Sequence, residues 1–247
     1  MPLGVIIDAL AVLIGGLLGT IIGSRLEDDF KQIMNNIMGI CSMTIGISSI
    51  ILMRNMPPVV FSIIVGTLLG LAVHLGEKIQ RGGVLMEKGI SRLRPHSSGN
   101  GDEEFRTTLV TCITLFCASG TGIYGALTAG MVGDHSILIA KAILDFFTAI
   151  IFGCSLGAVA ALVAIPQFII FFLLFLLAGA IYPFCTDSMI CDFKAAGGVI
   201  MLATGLRMCK IKMFPVADMI PAMVIVMPAS GFWVNTIMPV VSHISGV

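Results

Sequence analysis

The chain has 247 residues, of which 57% are hydrophobic and 11% charged, and fourteen basic residues balance fourteen acidic ones. Mean hydropathy is +1.05. A soluble domain carries roughly a quarter charged residues and a nucleic-acid binder needs a clustered basic excess, so both classes are excluded in favour of a polytopic all-α membrane protein.

The opening stretch Met1–Asp8 has no basic segment and holds an acid inside its apolar run. The first hydrophobic segment is therefore expected to stay in the mature chain rather than be cleaved. At about 20 apolar residues per crossing, eight spans follow in order. They are Leu3–Gly23, Ile33–Met53, Pro57–Leu75, Thr107–Val132, Ser136–Ile165, Gln167–Tyr182, a short Phe193–Leu206 and Val216–Pro239. The whole of 1–247 reads as one membrane domain: helices 1–3 over 3–75, a polar loop over 76–106, helices 4–5 over 107–165 and helices 6–8 over 167–239.

Basic residues test that count. With eight spans and the Gly76–Arg106 loop inside, the inner side holds Arg25, Lys31, six residues of the loop, then Arg207, Lys210 and Lys212. The outer side holds Arg54 and Lys194, and Lys141 lies within a span. The positive-inside rule thus favours eight helices, both termini outside and a cytoplasmic 76–106 loop. In that loop Ile79, Met86, Ile90 and Leu93 recur at helical spacing among charged residues, the pattern of an amphipathic helix on the inner leaflet. Ser97–Glu104 reads as a flexible linker.

The fourth span is the most unusual. It carries Thr107, Thr108, Thr111, Thr114, Ser119, Thr121, Tyr124 and Thr128, and at its middle runs Ala118-Ser-Gly-Thr-Gly-Ile-Tyr-Gly125. Three glycines, a serine and a threonine in eight residues disfavour a continuous helix. A discontinuous helix with free half-helix ends at mid-membrane is a recurrent transporter site; the alternative is an intact helix with a small-residue packing face. Pro221 and Pro228 in the eighth span are expected kinks.

Ionisable residues inside a bilayer are costly and mark functional candidates. Lys141 and Asp145 stand one turn apart on one face of the fifth helix. Asp145 lies about nine residues in, or ~14 Å deep, with Lys141 shallower and able to snorkel outward. Asp8 sits about a turn and a half into the first helix, facing a polar cavity or the outer interface. Asp134 and Asp218 read as helix-start residues. The candidate binding set is Asp145, Lys141, Ser119, Gly120, Thr121, Tyr124 and Asp8, with Asp145 as the coupling carboxylate.

Glycines repeat at an offset of 159 residues, Gly39 and Gly46 matching Gly198 and Gly205. That offset lays helices 1–3 on helices 6–8 in opposite directions, an inverted repeat. A rival register sets Asp8 and Gly16 on Asp145 and Gly153, pairing helices 1 and 5 in parallel. The face Gly15-Gly16-x-x-Gly19 is a candidate surface for a homo-oligomer or for internal packing. The seven cysteines show no zinc-type spacing, and Cys185 and Cys191 flank one loop where a disulfide is an option.

No HExxH or P-loop motif occurs, Asp134 is preceded by Met131-Val132-Gly133 rather than by a GxGD sequence, and no His sits near a plausible serine or cysteine nucleophile, so no catalysis, metal or cofactor is expected. The expected function is transport of a small solute or ion, with proton or sodium coupling as an option. The alternatives are a membrane scaffold or regulator acting through its inner loop, and a passive channel. The expected partners are the lipid bilayer and that solute or ion, with no nucleic acid.

Several segments taken together carry a resemblance. Asp8-Ala-Leu-Ala-Val-Leu-Ile-Gly-Gly-Leu-Leu-Gly19 opens the chain, and Leu115-Phe-Cys117 leads into Gly122-Ile-Tyr-Gly-Ala-Leu127 and Gly130-x-x-Gly-Asp134. Ser136-x4-Lys141-x3-Asp145, the Gly-rich seventh span and Ala217–Ile225 follow. Over nearly its whole length the chain resembles the bacterial domain-of-unknown-function (DUF) 554 family of YdfK- and YqgA-like integral membrane proteins. The resemblance implies a multi-span protein of the bacterial inner (plasma) membrane and no particular activity. Members often have Asn where this chain has Asp8, and Pro just after the Leu-Phe-Cys stretch, where this chain reads Ala118-Ser-Gly-Thr-Gly122.

Overall fold

A computed structural model describes residues 1–22, 27–91, 101–117 and 119–240. Among these the regular elements are helical. They are α1 (Leu3–Ile22), α2 (Asp28–Ile50), α3 (Met56–Ala72), α4 (Leu75–Ser91), α5 (Gly101–Cys117), α6 (Gly120–Val132), α7 (Ser136–Leu156), α8 (Val159–Leu162), α9 (Ala164–Ile181), α10 (Asp187–Met208) and α11 (Pro221–Phe232). Short 3-10 turns at Tyr182–Phe184 and Val216–Met219 precede α10 and α11, and a π-helical turn, Trp233–Ile237, extends α11.

Among the described residues seven stretches are long and apolar enough to cross a membrane. With 17 residues, α3 reaches that length jointly with α4, which is bent from it by 57°, making eight. The outer surface of the bundle matches this reading. On α1, Ile6, Leu10, Ile14, Leu17 and Ile21 are exposed, while Val5, Asp8, Val12, Gly15, Gly16 and Gly19 are buried. In water such a face would be a severe liability; against lipid it is the required solvent-facing side.

Several boundaries differ from expectation, each for a local reason. The seventh span is not short. α10 covers 22 residues, because Thr186 caps its start by accepting a hydrogen bond from Met189 N (3.4 Å). Its polar first turns find partners in neighbouring loops. The fifth span does not run to Ile165: α7 stops at Leu156, followed by Gly157 with φ 64°, a backbone conformation that glycine adopts without strain. His74, at φ 51°, turns the chain between α3 and α4. Pro221 starts α11 instead of kinking it, which suits a residue whose missing N–H is not needed there; Pro228 lies inside that helix.

The expected linker Ser97–Glu104 is helical from Gly101 onward, where α5 begins; residues 97–100 lie outside the described residues. The amphipathic α4 does not simply lie on a leaflet. It packs on α5, with Gly83 against Thr114, while Met86 reaches the core around Phe116 and Glu87 is buried. Leu93 lies outside the described residues, and the side chain of Ile90 is not among those described.

Helix pairing follows the glycines. A Cβ on Gly46 would lie 2.7 Å from Gly198 O, one on Gly198 2.6 Å from Gly46 O, and Gly39 and Gly205 abut in the same way. α2 and α10 thus cross antiparallel in backbone contact. α3 and α11 are antiparallel too, with Gly66 against Ala222 and Gly70 against Asp218. α1 meets α8 and α9 antiparallel through Gly16–Ala161 and Asp8–Gln167. In contrast α1 and α7 run parallel, Gly4 meeting Leu138, Gly15 meeting Ala149 and Gly19 meeting Gly153. The Gly15-Gly16-x-x-Gly19 face is therefore spent inside the chain, and it is not an exposed dimer surface.

The fourth span is interrupted. α5 ends at Cys117 and α6 starts at Gly120, with Ser119 as its N-cap accepting from Gly122 N (3.0 Å). Ala118, between them, lies outside the described residues.

Candidate functional site

Four side chains from three helices converge where α1, α7 and α9 meet beside the break in the fourth span. Lys141 and Asp145 share a face of α7 and are hydrogen-bonded to each other. Asp145 is the tenth of the 21 residues of α7, close to its middle. Because α1 lies parallel to α7 in glycine-mediated contact, Asp8 arrives at the same level, its Oδ2 3.3 Å from Lys141 Nζ. Gln167 on α9 closes the group. Its Nε2 donates to Asp8 Oδ2 (2.8 Å) and to Asp145 Oδ2 (3.0 Å).

The cluster is enclosed. Side-chain exposure is 0% for Asp8, 2% for Lys141 and 13% for Asp145, and Gln167 is buried. The Lys141 ammonium lies between two aromatic rings, 6.0 Å from the centroid of Phe116 and 5.2 Å from that of Phe171, a cation–π environment. Both sides of the helix break touch it: Phe116 precedes the break, and Gly122 follows it. A Cβ on Gly122 would fall 2.1 Å from Phe171 Cζ and 2.8 Å from Lys141 Cε. Only glycine leaves room there for the lysine stem. Two acceptors of the cluster, Asp8 Oδ1 and Gln167 Oε1, are buried without a hydrogen-bond partner.

Of the expected site residues, Asp145, Lys141 and Asp8 come together. Lys141 does not snorkel and Asp8 is fully buried; both point inward, where Asp8 and Asp145 lie beside the ammonium. The remaining four fall elsewhere. Ser119 is committed to its cap. Gly120 faces Ile200 of α10. Thr121 is buried on α6. The Tyr124 hydroxyl bonds Ser49 Oγ of α2 at 3.3 Å, and its ring packs on Gly197. Gly120 and Tyr124 serve the α6 face turned to α2 and α10, while Gly130 on α6 meets Phe175 of α9.

Gln167, Phe116, Phe171 and Gly122 complete the site without having been singled out from the sequence. Gln167 alone carried a usable signal. It is an amide in a run of otherwise apolar residues, at the 159-residue offset from Asp8.

A second buried carboxylate has a different character. Asp192 is fully buried, yet its oxygens accept from Arg54 N (2.9 Å), Asn55 N (2.8 Å), Asn55 Nδ2 (2.9 Å) and Ser230 Oγ (2.6 Å). With four donors it is satisfied as an anion, tying the α2–α3 turn to α10 and α11. Asp218 accepts from Gly76 N (2.8 Å) and so caps the start of α4. Asp134 accepts from Ser136 N (3.0 Å) and Ser136 Oγ (2.6 Å), as befits a helix-start residue, and faces Lys194 at 3.4 Å. Burial pushes its carboxyl up, but Ser136 and Lys194 together hold it below the ordinary aspartate value. Among the described residues no cluster of metal-ligand type occurs. Cys185 and Cys191 are free thiols.

The family described as "Protein of unknown function (DUF554)" matches residues 3–231. The "Uncharacterized protein YqgA" of Escherichia coli (strain K12) is 45% identical over 233 residues, covering 94% of this chain and 98% of that protein. The "Uncharacterized membrane protein YdfK" of Bacillus subtilis (strain 168) is 26% identical over 238 residues, covering 90% and 93%. No solved structure matches the chain. With a full-length family match and an all-helical bundle of membrane-spanning length, this chain is a polytopic membrane protein that belongs to the DUF554 family.

Proposed function

We propose that the protein is a transporter of a small solute or ion, coupled to protons or sodium, with Asp8, Lys141, Asp145 and Gln167 as its coupling site. One observation carries the reading: two carboxylates share a single ammonium in an enclosed mid-membrane position, directly beside a broken helix. A purely structural pair would be expected to balance its charge, as buried ions cost several kcal/mol each when uncompensated. An odd charge at a helix break is instead the arrangement of a site that gains and loses a cation. Asp8, Lys141 and Gln167 are buried in this conformation.

Two features support an alternating mechanism. α1, α2 and α3 pair antiparallel with α9, α10 and α11, as an inverted repeat of three-helix units requires. Two contacts fall at the repeat offset itself: Asp8 with Gln167, and Ser42 Oγ with Met201 O (3.2 Å), each 159 residues apart. The site would then lie on the pseudo-two-fold axis, where a rocking of one unit against the other exposes it to either side.

Charge sidedness orients the molecule. Arg54 and Lys194 lie at the end holding the start of α1, whereas Lys31, Lys78, Arg81, Lys88, Arg207, Lys210 and Lys212 lie at the opposite end. We assign that basic end to the cytoplasm of the bacterial inner membrane and the N-terminal end of α1 to the outside.

The test is charge displacement by purified protein in proteoliposomes adsorbed on a solid-supported membrane. Steps in pH or in sodium concentration should evoke transient currents that Lys141→Met and Asp145→Asn abolish. Absence of current for both ions would remove coupled transport, and unchanged currents in both variants would remove the site.

A further inference from the structure

The four-residue cluster has three defects as drawn with ordinary ionisation. Asp8 and Asp145 contribute two negative charges and Lys141 one positive, leaving a net −1 in an enclosed apolar setting. Asp8 Oδ1 is buried with no partner, and so is Gln167 Oε1. Each unmet buried acceptor costs about 1–3 kcal/mol, and an uncompensated buried charge costs more. The surroundings offer no relief. The charged groups acting on Asp8 are Lys141 and Asp145, both from α7. α9 presents neutral Gln167 and Phe171, α8 has no ionisable residue, and α5 places the thiols Cys112 and Cys117 within electrostatic range of Asp145.

We propose that Asp8 holds a proton on Oδ1, paired with the side-chain oxygen of Gln167, while Asp145 stays ionised against Lys141. This rests on the transport reading and deepens it by naming the coupling ion and its carrier. One proton removes all three defects together. It cancels the surplus charge and converts Oδ1 from acceptor to donor. Gln167 Oε1 then receives a bond, on the same amide whose Nε2 already donates to Oδ2 of that carboxyl at 2.8 Å. The result is a reciprocal acid–amide pair.

The choice of Asp8 over Asp145 follows from geometry. Asp145 holds the closest contact with Lys141 on its own helix, whereas Asp8 stands 3.3 Å from the ammonium. The choice of a proton over a sodium ion follows from the walls. A hard cation needs a shell of about six oxygens, whereas Asp8, Asp145 and Gln167 together bring five, one of them already held by the ammonium; Phe116 and Phe171 add none, and packing excludes even a Cβ at Gly122. In transport, the O–H bond at Oδ1 forms with a proton from water on one side and breaks by transfer to water on the other. With the proton gone the cluster carries a net −1, and Lys141 is drawn toward the freed carboxylate.

Solid-state NMR on wild-type proteoliposomes tests this without a variant. Ile-Asp occurs once in the chain, at Ile7-Asp8, and Leu-Asp once, at Leu144-Asp145. Carbonyl-labelled Ile or Leu combined with fully labelled Asp therefore selects each carboxyl in turn. At neutral pH the Asp8 Cγ should resonate as a neutral acid, the Asp145 Cγ as a carboxylate. Asp8→Asn, which mimics the neutral form, should leave the Asp145 signal in place. Two carboxylate signals, or a neutral Asp145, would overturn the proposal. Sodium-evoked currents from protein with both carboxyls ionised would overturn it and leave transport standing. A neutral Asp8 in protein that gives no current upholds the proton site and removes transport instead.

Discussion

Asp8 and Gln167, 159 residues apart, are joined by a 2.8 Å hydrogen bond between helices that run in opposite directions. Gln167 also bonds Asp145, so a single amide braces both carboxylates of the cluster. Gln167→Leu removes both donors at nearly constant volume. The bond to ionised Asp145 is worth about 1.5–3 kcal/mol and the bond to neutral Asp8 about 0.5–1.5 kcal/mol, and a clear fall in thermal stability is expected. Melting of the detergent-solubilised protein, followed by intrinsic fluorescence, measures it; a melt equal to wild type would mean that the amide braces nothing.

Removing the ammonium should cost more than removing one carboxylate. Lys141→Met strands two acids in the interior, at about 3–5 kcal/mol. Asp145→Asn leaves Lys141 paired with Asp8 and should be milder. The triple variant Lys141→Met, Asp8→Asn, Asp145→Asn carries no charge and should recover most of the loss. Comparison of the three melts decides whether charge balance or mere packing governs the site.

The α2–α10 crossing depends on the absence of side chains. A Cβ at Gly198 would sit 2.6 Å from Gly46 O, against backbone that cannot swing aside. Gly198→Val is expected to push the helices apart and destabilise by at least the 1–3 kcal/mol typical of overpacking. Gly82, with nothing within 4 Å, is the control: Gly82→Val should not lower the melting temperature through a clash. Equal melting of the two variants would contradict the crossing described.

Asp134 gives a pH signature outside the membrane. Its folded carboxyl titrates below the ordinary value of 3.8 because Ser136 and Lys194 favour the anion. A depressed folded value contributes stability that is present above 3.8 and lost as pH falls through the folded value. The pair is partly exposed, so the contribution is under about 1 kcal/mol. Wild type and Asp134→Asn should differ slightly at neutral pH and converge under strong acid. A difference that grows on acidification would mean that the folded Asp134 carboxyl titrates above its ordinary value.

The orientation can be read with reporters. A fluorescent protein fused after Lys212 should fold and glow, because the basic end is assigned to the cytoplasm. The same fusion after Asp187 should stay dark. The opposite pattern would invert the topology, and two bright fusions would remove α10 as a span.

The positions of most spans were legible in the sequence because hydropathy is a local property. Some twenty consecutive residues decide whether a segment enters lipid, whatever the rest of the chain does. The break in the fourth span was legible for the same reason, since glycine and serine act on their own backbone. Ends of helices were less so: α10 begins at Asp187 because remote groups, Arg54 and Asn55, satisfy Asp192 and admit polar residues into its first turns.

The site itself divides along that line. Lys141 and Asp145 are neighbours by helical spacing and could be paired from the sequence. That Asp8 joins them depends on α1 lying parallel to α7, and that Gln167 braces both depends on α9 crossing α1. Phe116 and Gly122 matter only because the broken span passes the ammonium. Such contacts join residues up to 159 positions apart, and no local property of either segment encodes them. By itself the sequence determined a membrane bundle with few charges. Tertiary packing alone decided that three of those few meet in one enclosed place with a charge left over, because in a dry interior each ion must find its partner across helices.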